Sequence, residues 1–400
     1  MDPITHGITG ALLGKAFFAE RKGGVATFAA TLGSVFPDVD VFQEALTRDP
    51  LSIVRYHRGV THSFVCLPVF AVILAWLTRW ILRRAGRESP SWWMLTLIYA
   101  VGIASHIILD GMTSFGTRIW DPISQQRVVW DVLFIVDFTL TSIVLLPQVI
   151  AWIYRDREKS IKRAILMSLI FMVAVFAAWG IARITGFTFH GWIACLAGVL
   201  IVGAFFLPSI KGWGFSITKA RWCQGGGVVL LAYLLLCASA HHLALLKVAE
   251  FANANHIVVD RMAAIPLPPS MLEWSGVIRA MDGVYQASFD LRDAVPPEFH
   301  FASDSPPDTF IARAMQLREV QLYWQFARFP VIRSSIDGGH HVVDFAEQRF
   351  VSRNRESIRP FTYRVVFDAA GNVVQQGWRS NAMLRRQMKQ EKPHGAGDAQ

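Results

Sequence analysis

Long runs of apolar residues alternate with short polar connections over the first 250 or so residues of the chain. A helix that crosses the hydrocarbon core of a membrane needs about 20 mainly apolar residues, with roughly 17 to 25 tolerated. Runs of this length occur at residues 64–82, 92–109, 132–154, 164–182, 192–208 and 228–246. The pattern therefore predicts an all-α polytopic membrane bundle in this part of the chain.

Two shorter apolar runs, residues 8–19 and 25–36, precede these six and are separated by a polar turn at residues 20–24. At about 1.5 Å of rise per residue, each run covers only about 18 to 20 Å. They are either the two halves of a helical hairpin that reaches part-way through the bilayer or two tilted short spans. With them, the sequence predicts about eight membrane segments, of which the first two are short.

The pattern changes near residue 248, where polar residues and proline clusters replace the long apolar runs. Apolar and polar positions alternate, as in half-buried strands, at residues 283–291, 331–336 and 341–345. Two further candidate strands flank residues 368–371, a good hairpin turn, and residues 308–328 have the period of one amphipathic helix. We therefore expect a small C-terminal α+β soluble domain.

Together these patterns divide the chain into three parts. The predicted membrane-embedded domain covers residues 1–247, the predicted extracytoplasmic α+β domain covers residues 248–385, and a predicted disordered tail covers residues 386–400.

Composition supports a membrane protein. Hydrophobic residues make up 53% of the chain and charged residues only 17%, whereas a soluble domain carries roughly a quarter charged residues. The net charge of +9 does not indicate nucleic-acid binding, because the basic residues lie in short connections rather than on one basic face. The four cysteines show no Cys-x-x-Cys spacing, so the sequence predicts neither a disulfide framework nor a cysteine zinc site.

The basic residues also orient the predicted helices, because Lys and Arg are concentrated in short cytoplasmic loops. The ends of the first, third and fifth long runs and the connections after them hold four, five and three Lys and Arg residues, against three, two and one in the opposite connections. The opposite connections, and with them the C-terminal domain, are therefore predicted to lie on the non-cytoplasmic side. Membrane lipids are the expected partners of the bundle.

Seven histidines and aspartates of the first 110 residues fall at the predicted non-cytoplasmic ends of the apolar segments or in the loops there. His106 and Asp110 are four residues apart, so a helix places both on one face, as a metal site needs. An extended segment places Asp38 and Asp40 on one side. The predicted metal ligands are His6, Asp38, Asp40, His57, His62, His106 and Asp110.

Imidazoles mixed with carboxylates favour Zn²⁺, with Mn²⁺ or Fe²⁺ as alternatives, over Mg²⁺ or Ca²⁺, which prefer all-oxygen ligands. One or two ions fit a set of this size, and the chemistry predicted is hydrolysis of an ester or phosphoester, with a lipid as the substrate that the location favours. His57 and His62 are each either a ligand or a proton shuttle. Arg58, between them, either stabilises a phosphoryl oxyanion or faces solvent or lipid phosphate.

Two other classes of function fit parts of the same pattern. A membrane transporter or metal-handling protein without hydrolytic activity also carries intramembrane acids and histidines, but these are staggered through several helices. Clustering at one end of the bundle favours the hydrolase. In the third interpretation the chain is a structural anchor for the C-terminal domain, and its histidines only form hydrogen bonds at the membrane interface.

Four motifs then point to a family: Met-Asp-Pro-Ile-Thr-His-Gly at residues 1–7, Pro-Asp-Val-Asp at 37–40, His-Arg-Gly-Val-Thr-His-Ser at 57–63 and Ser-His-Ile-Ile-Leu-Asp at 105–110. In this order they resemble the membrane-bound predicted metal-dependent hydrolases, the LexA-regulated, YdjM-like inner-membrane group. The resemblance covers roughly residues 1–180. It implies an inner-membrane hydrolase whose site is formed by the seven ligands named above.

Overall fold

The computed structural model describes residues 1–47, 49, 51–184, 191–268, 270–350 and 360–379. The chain forms two compact units. The first unit comprises Met1–Pro37, Thr61–Leu109 and Val136–Leu235, and the second comprises Asp38–Val60, Asp110–Ile135 and Leu236–Gln400. The predicted disordered tail, residues 386–400, lies outside the described residues.

Helices dominate the first 254 residues, as the long apolar runs predict. They are α1 (Pro3–Leu13), α2 (Ala19–Val35), α3 (Val41–Leu46), α4 (Ser52–Arg55), α5 (Leu67–Arg84), α6 (Trp92–Gly111), α7 (Phe138–Ile153), α8 (Ser160–Ile184), α9 (Gly191–Phe206) and α10 (Lys219–Ala254). Short 3₁₀ turns at Phe36–Asp40 and Val60–His62 lie between some of them.

Five helical stretches among the described residues are long and apolar enough to cross a membrane, and a bent pair of helices over residues 52–84 raises the number to six. The five are Gly23–Gln43, Trp92–Gly111, Ser160–Gly180, Ala194–Phe215 and Lys219–Ala254. Helix α7 is apolar but shorter, because the carboxylate of Asp137 accepts a hydrogen bond from the amide of Leu140 and caps the helix there. The membrane bundle is thus supported, and the number of eight segments stays a prediction.

Helices α1 and α2 pack antiparallel as a hairpin, and both the part-way hairpin and the pair of short spans stay predictions. Gly7 and Gly10 on α1, and Gly14 directly after it, lie against successively earlier positions of α2. A Cβ atom at Gly10 would lie only 2.5 Å from the carbonyl oxygen of Ala30, so glycine is needed for the two backbones to approach this closely. The chain turns at Gly23, whose φ of 62° is in the left-handed region.

The C-terminal part contains two antiparallel four-stranded sheets, each with its strands in sequence order. The first sheet contains β1 (Arg261–Pro266), β2 (Glu273–Ala280), β3 (Gly283–Asp290) and β4 (His300–Ser303). The second contains β5 (Pro330–Asp337), β6 (His340–Glu347), β7 (Thr362–Phe367) and β8 (Val373–Trp378). The predicted hairpin joins β7 to β8, and Gly371 in its turn has a φ of 83°.

The single helix predicted over residues 308–328 is wrong in detail, since the structure has α11 (Thr309–Gln316) and α12 (Arg318–Phe326), broken at Leu317. The buried positions explain the break. Ile311, Ala314, Val320, Tyr323 and Phe326 are buried and fall on a three-residue repeat. In a straight helix such a repeat drifts by about 60° at each step, so the break at Leu317, where the backbone is extended, returns the second helix to the core.

One apolar core joins α11, α12 and the second sheet to α4 and to the loop after α6. Leu51, Val54 and Phe115 are buried in the same cluster as Tyr323 and Phe345. The loop after α6 is also held by polar contacts within the second unit. The buried guanidinium of Arg349 donates to the carbonyl oxygen of Ser114 at 2.9 Å, and Arg328 pairs with Asp131 at 2.8 Å.

Candidate metal centre

Four of the seven predicted ligands form one group. Asp38, His62, His106 and Asp110 each offer a ligand atom, and these atoms all lie within 4.8 Å of one another. His106 and Asp110 are one turn apart near the C-terminal end of α6, and Asp38 and His62 lie in the two 3₁₀ turns. The side chains of His62, His106 and Asp110 are fully buried. Charged and polar groups this deeply buried require close partners.

Hydrogen bonds fix how His106 presents its ring. Its Nδ1 lies 2.7 Å from the carbonyl oxygen of Ser34, and a carbonyl oxygen can only accept, so Nδ1 carries the proton. In the neutral imidazole the lone pair is then on Nε2. That Nε2 atom lies 3.0 Å from Nε2 of His62, whose Nδ1 lies 3.1 Å from the hydroxyl of Thr61. Without a metal ion this contact is a hydrogen bond from Nε2–H of His62 to Nε2 of His106, and an ion bound by both nitrogens would replace that proton.

Arg58 holds the carboxylate of Asp110. Its Nε lies 2.9 Å from Oδ2 of Asp110, and both side chains are almost completely buried. A second nitrogen, Nη1, donates to the hydroxyl of Thr113 at 2.7 Å, and the guanidinium carbon lies 5.1 Å from the ring centre of Phe115. Arg58 has a φ of 58°, a left-handed backbone conformation uncommon for a residue with a side chain. These contacts orient one candidate ligand.

The other three predicted ligands are outside this group of four. The ring of His6 stacks on that of His106, with centroids 3.6 Å apart, and the carbonyl oxygen of His6 accepts from the hydroxyl of Ser34 at 2.8 Å. Asp40 and His57 instead form a pair, Oδ1 to Nδ1, at 3.0 Å. The second oxygen of Asp40 accepts from the amide of Arg58 at 2.9 Å.

The part of the chain that carries the four motifs is similar to a known protein family. Residues 1–185 match the YdjM inner membrane protein family. The resemblance predicted from the four motifs is therefore confirmed. The chain matches no curated protein and no solved structure. Together with the apolar helices, the family match supports a membrane protein, and all seven predicted ligands lie in the matched region.

The donor set formed by Asp38, His62, His106 and Asp110 fits a transition metal ion. Two imidazole nitrogens with two carboxylate groups are a common combination for Zn²⁺, and a hard ion such as Mg²⁺ would favour oxygen alone. The supporting hydrogen bonds also fit, because histidines that bind metals donate their other ring nitrogen to a carbonyl or carboxylate. Ser34 provides that carbonyl for His106. Which ion this group prefers stays a prediction.

Ser34 and Thr113 support the site, and neither was predicted from the sequence. Ser34 contacts both His6 and His106, and Thr113 contacts Arg58. Ser34 acts on His106 through its backbone carbonyl, for which the sequence has no signal. Thr113 follows Asp110 by three residues, and its hydroxyl also donates to the carbonyl oxygen of Asp110 at 2.8 Å. This is the local bonding typical of Thr at the end of a helix.

Asp137, a buried carboxylate at the start of α7, makes two structural contacts. One of its oxygens caps α7 and the other accepts from the hydroxyl of Tyr233 at 2.6 Å. Both contacts lie within the first unit and use the two carboxylate oxygens in packing helices together.

Proposed function

We propose that this protein is a membrane-bound metal-dependent hydrolase that cleaves an ester or phosphoester bond, with a membrane lipid as its substrate. The buried group Asp38, His62, His106 and Asp110 carries the proposal, and the family match supports it. Zn²⁺ suits this donor set best. When bound, such an ion lowers the pKa of a coordinated water towards neutrality, so that the water becomes a nucleophile at physiological pH.

The residues around the group keep its members in place. The carbonyl oxygen of Ser34 fixes the tautomer of His106, and the guanidinium of Arg58 fixes the carboxylate of Asp110. Both supports are buried, so water does not compete with them. Such supports usually change metal affinity or activity by about 10- to 100-fold. In this proposal Arg58 acts on the reaction through Asp110.

The Asp40–His57 pair supplies the proton-transfer group. When Oδ1 of Asp40 accepts from Nδ1–H of His57, the lone pair of the imidazole is on Nε2 and is free of the carboxylate. The side chain of His57 is 20% exposed, which leaves it accessible to a substrate or to water. An imidazole oriented by a carboxylate is the usual arrangement of a general base. His62 then acts as a ligand and His57 as the shuttle.

A lipid substrate follows from position. The candidate group is near the end of an apolar helix that is long enough to cross a membrane, where lipid head groups are the most abundant esters. The distribution of Lys and Arg in the connections supports the non-cytoplasmic face of the membrane for this end.

The proposal is tested by phospholipid turnover with the full chain reconstituted in vesicles. We expect product release that a chelator abolishes and that added Zn²⁺ restores. His106→Ala should lose turnover, and His57→Gln should lower the rate constant by about 10²- to 10⁴-fold. Arg292→Gln, a change at an exposed residue, is the matched control and should behave like the wild type.

Two outcomes contradict the proposal. One is turnover that is insensitive to the chelator and is retained by His106→Ala. The other is metal-dependent cation flux across the vesicle membrane without lipid turnover, which is the behaviour expected of the transporter alternative.

A further inference from the structure

A cavity lined with arginines lies within the second unit. Its volume is about 280 Å³, and the residues that line it include Arg55, Tyr56, Arg118, Arg127 and Phe326. Ligand sites for small molecules typically start at about 300 Å³. The cavity therefore has room for one small polar group and some of the atoms attached to it.

Arg127 is fixed at this cavity by neutral partners. Its guanidinium donates to the carbonyl oxygens of Gly116 at 2.9 Å, Val54 at 2.7 Å and His57 at 3.3 Å. The rings of Phe115 and Phe326 lie 5.5 and 5.6 Å from the guanidinium carbon. Carbonyl oxygens orient the guanidinium without cancelling its charge. A guanidinium has five N–H groups, so the group has donors beyond these three contacts.

Arg118 and Arg55 are held beside it. Arg118 donates to the carbonyl oxygen of Arg55 at 2.7 Å, and its Nε lies 3.5 Å from the carboxylate of Asp121, which also lines the cavity. Arg55 pairs with Asp49 at 3.2 Å. Gly59 makes room for Arg118, because a Cβ atom at this position would overlap its Nη2 atom. The packing of the backbone is thus adapted to the guanidinium.

Three arginines and one aspartate line the cavity, so positive charge is in excess there. Burial, followed by the positive charges of Arg118, Arg349 and Arg58, lowers the pKa of Arg127 from its usual value, although the carboxylate of Asp40 acts in the opposite direction. Like charges repel one another in a medium of low polarity. An anion in the cavity would relieve that repulsion and would accept the remaining N–H groups.

We infer that this cavity is a binding site for a phosphate group, with Arg118 and Arg127 as its main ligands. Several N–H donors from two rigid guanidinium planes match the oxygens of a phosphate, which arginine binds through paired hydrogen bonds. Tyr56 and Gln125 also line the cavity and add polar groups. The inference does not depend on hydrolysis, because binding is measured without turnover.

The cavity contacts the segment that carries the candidate shuttle. Arg127 donates to the carbonyl oxygen of His57, and the amide of Arg118 donates to that of Arg58 at 3.0 Å. A phosphate bound by these arginines would therefore lie next to the backbone of residues 54–60. This neighbourhood gives a phosphate-bearing ligand a defined place beside the Asp40–His57 pair.

The test is calorimetric titration of the full-length protein, in uncharged detergent micelles, with inorganic phosphate. We expect saturable binding that Arg127→Gln and Arg118→Gln weaken at least tenfold. Gln125 is exposed and lines the cavity, so it allows a change of charge without loss of a structural contact. Gln125→Glu should weaken phosphate binding and Gln125→Lys should strengthen it. The control Arg292→Gln should leave binding unchanged, because Arg292 does not line the cavity and forms an exposed ion pair.

Lipid competition distinguishes the two sources of the phosphate. If phosphatidylglycerol added to the micelles displaces phosphate and phosphatidylcholine does not, the natural ligand is an anionic lipid head group. If neither lipid competes, the site serves a soluble phosphate compound. The inference is overturned if phosphate does not bind, or if it binds equally well to Gln125→Glu and Gln125→Lys and to both arginine variants.

Discussion

The buried ion pair between Arg58 and Asp110 gives the sharpest test of the site's construction. Its atoms lie 2.9 Å apart, with the side chains 2% and 0% exposed. At that distance two unit charges attract by roughly 6 kcal/mol for an effective dielectric constant of about 20. Much of this attraction offsets the loss of hydration of both ions, so the net value of the pair is smaller.

Removing only one partner has a larger effect on stability, because it leaves the other ion buried without its counter-charge. We expect Arg58→Gln to lower the free energy of unfolding by about 3 to 5 kcal/mol. Asp110→Asn should also be destabilising, since Arg58 then keeps its charge without the carboxylate that pairs with it. The double variant has neither charge. Its loss of unfolding free energy should be smaller than the sum of the two single losses, by a coupling energy of about 1 to 3 kcal/mol.

The assay is denaturant unfolding of the four proteins in detergent, with a chelator present so that no metal ion replaces the missing charge. The chain provides its own matched control in the pair Arg292–Asp290, which has a similar distance of 2.6 Å but an arginine that is 70% exposed. Its coupling energy should be much smaller than that of the buried pair, because solvent screens exposed charges. Equal coupling in the two pairs, or additive effects at Arg58 and Asp110, would show that burial does not strengthen the interaction.

Three further predictions concern packing, capping and metal. Gly10→Ala should lower the free energy of unfolding by about 1 to 3 kcal/mol, because the added carbon overlaps α2. Gly24→Ala is the control, since no atom lies within 4 Å of its new carbon. Equal thermal midpoints of the two variants would contradict the close packing. Asp137→Ala should lower the free energy of unfolding by about 1 to 2 kcal/mol, because the α7 cap is lost, and should leave the metal content unchanged. Loss of metal in this variant would identify Asp137 as a ligand. Zn²⁺ at 100 times its Kd should stabilise the wild type by about 2.7 kcal/mol and leave His106→Ala unaffected; equal stabilisation of both would place the ion elsewhere.

The membrane helices were predictable because hydrophobic length is a local property of the sequence. Helix α8 is an example, since its spanning stretch Ser160–Gly180 is among the most apolar of the chain and only 11% of it is buried by protein. The break at Leu317 was also present in the sequence, as a three-residue spacing of apolar positions, but the general amphipathic pattern concealed it.

The candidate site was predictable only in part. Residue type and position identified Asp38, His62, His106 and Asp110 as candidate ligands. The pairing of Asp40 with His57 and of Arg58 with Asp110 depends on tertiary structure, and on a left-handed backbone at Arg58. No local pattern specifies a contact between residues 52 positions apart, and the cavity formed by Arg118 and Arg127 has the same origin.

In the proposed function, Asp38, His62, His106 and Asp110 hold one metal ion together. The most direct measurement is the metal content, by mass spectrometry, of the purified full-length protein and of His106→Ala and Asp38→Ala, with His256→Ala, an exposed histidine, as control. We predict stoichiometric divalent metal in the wild type and the control and little in the other two. Full metal content in both His106→Ala and Asp38→Ala would contradict the account.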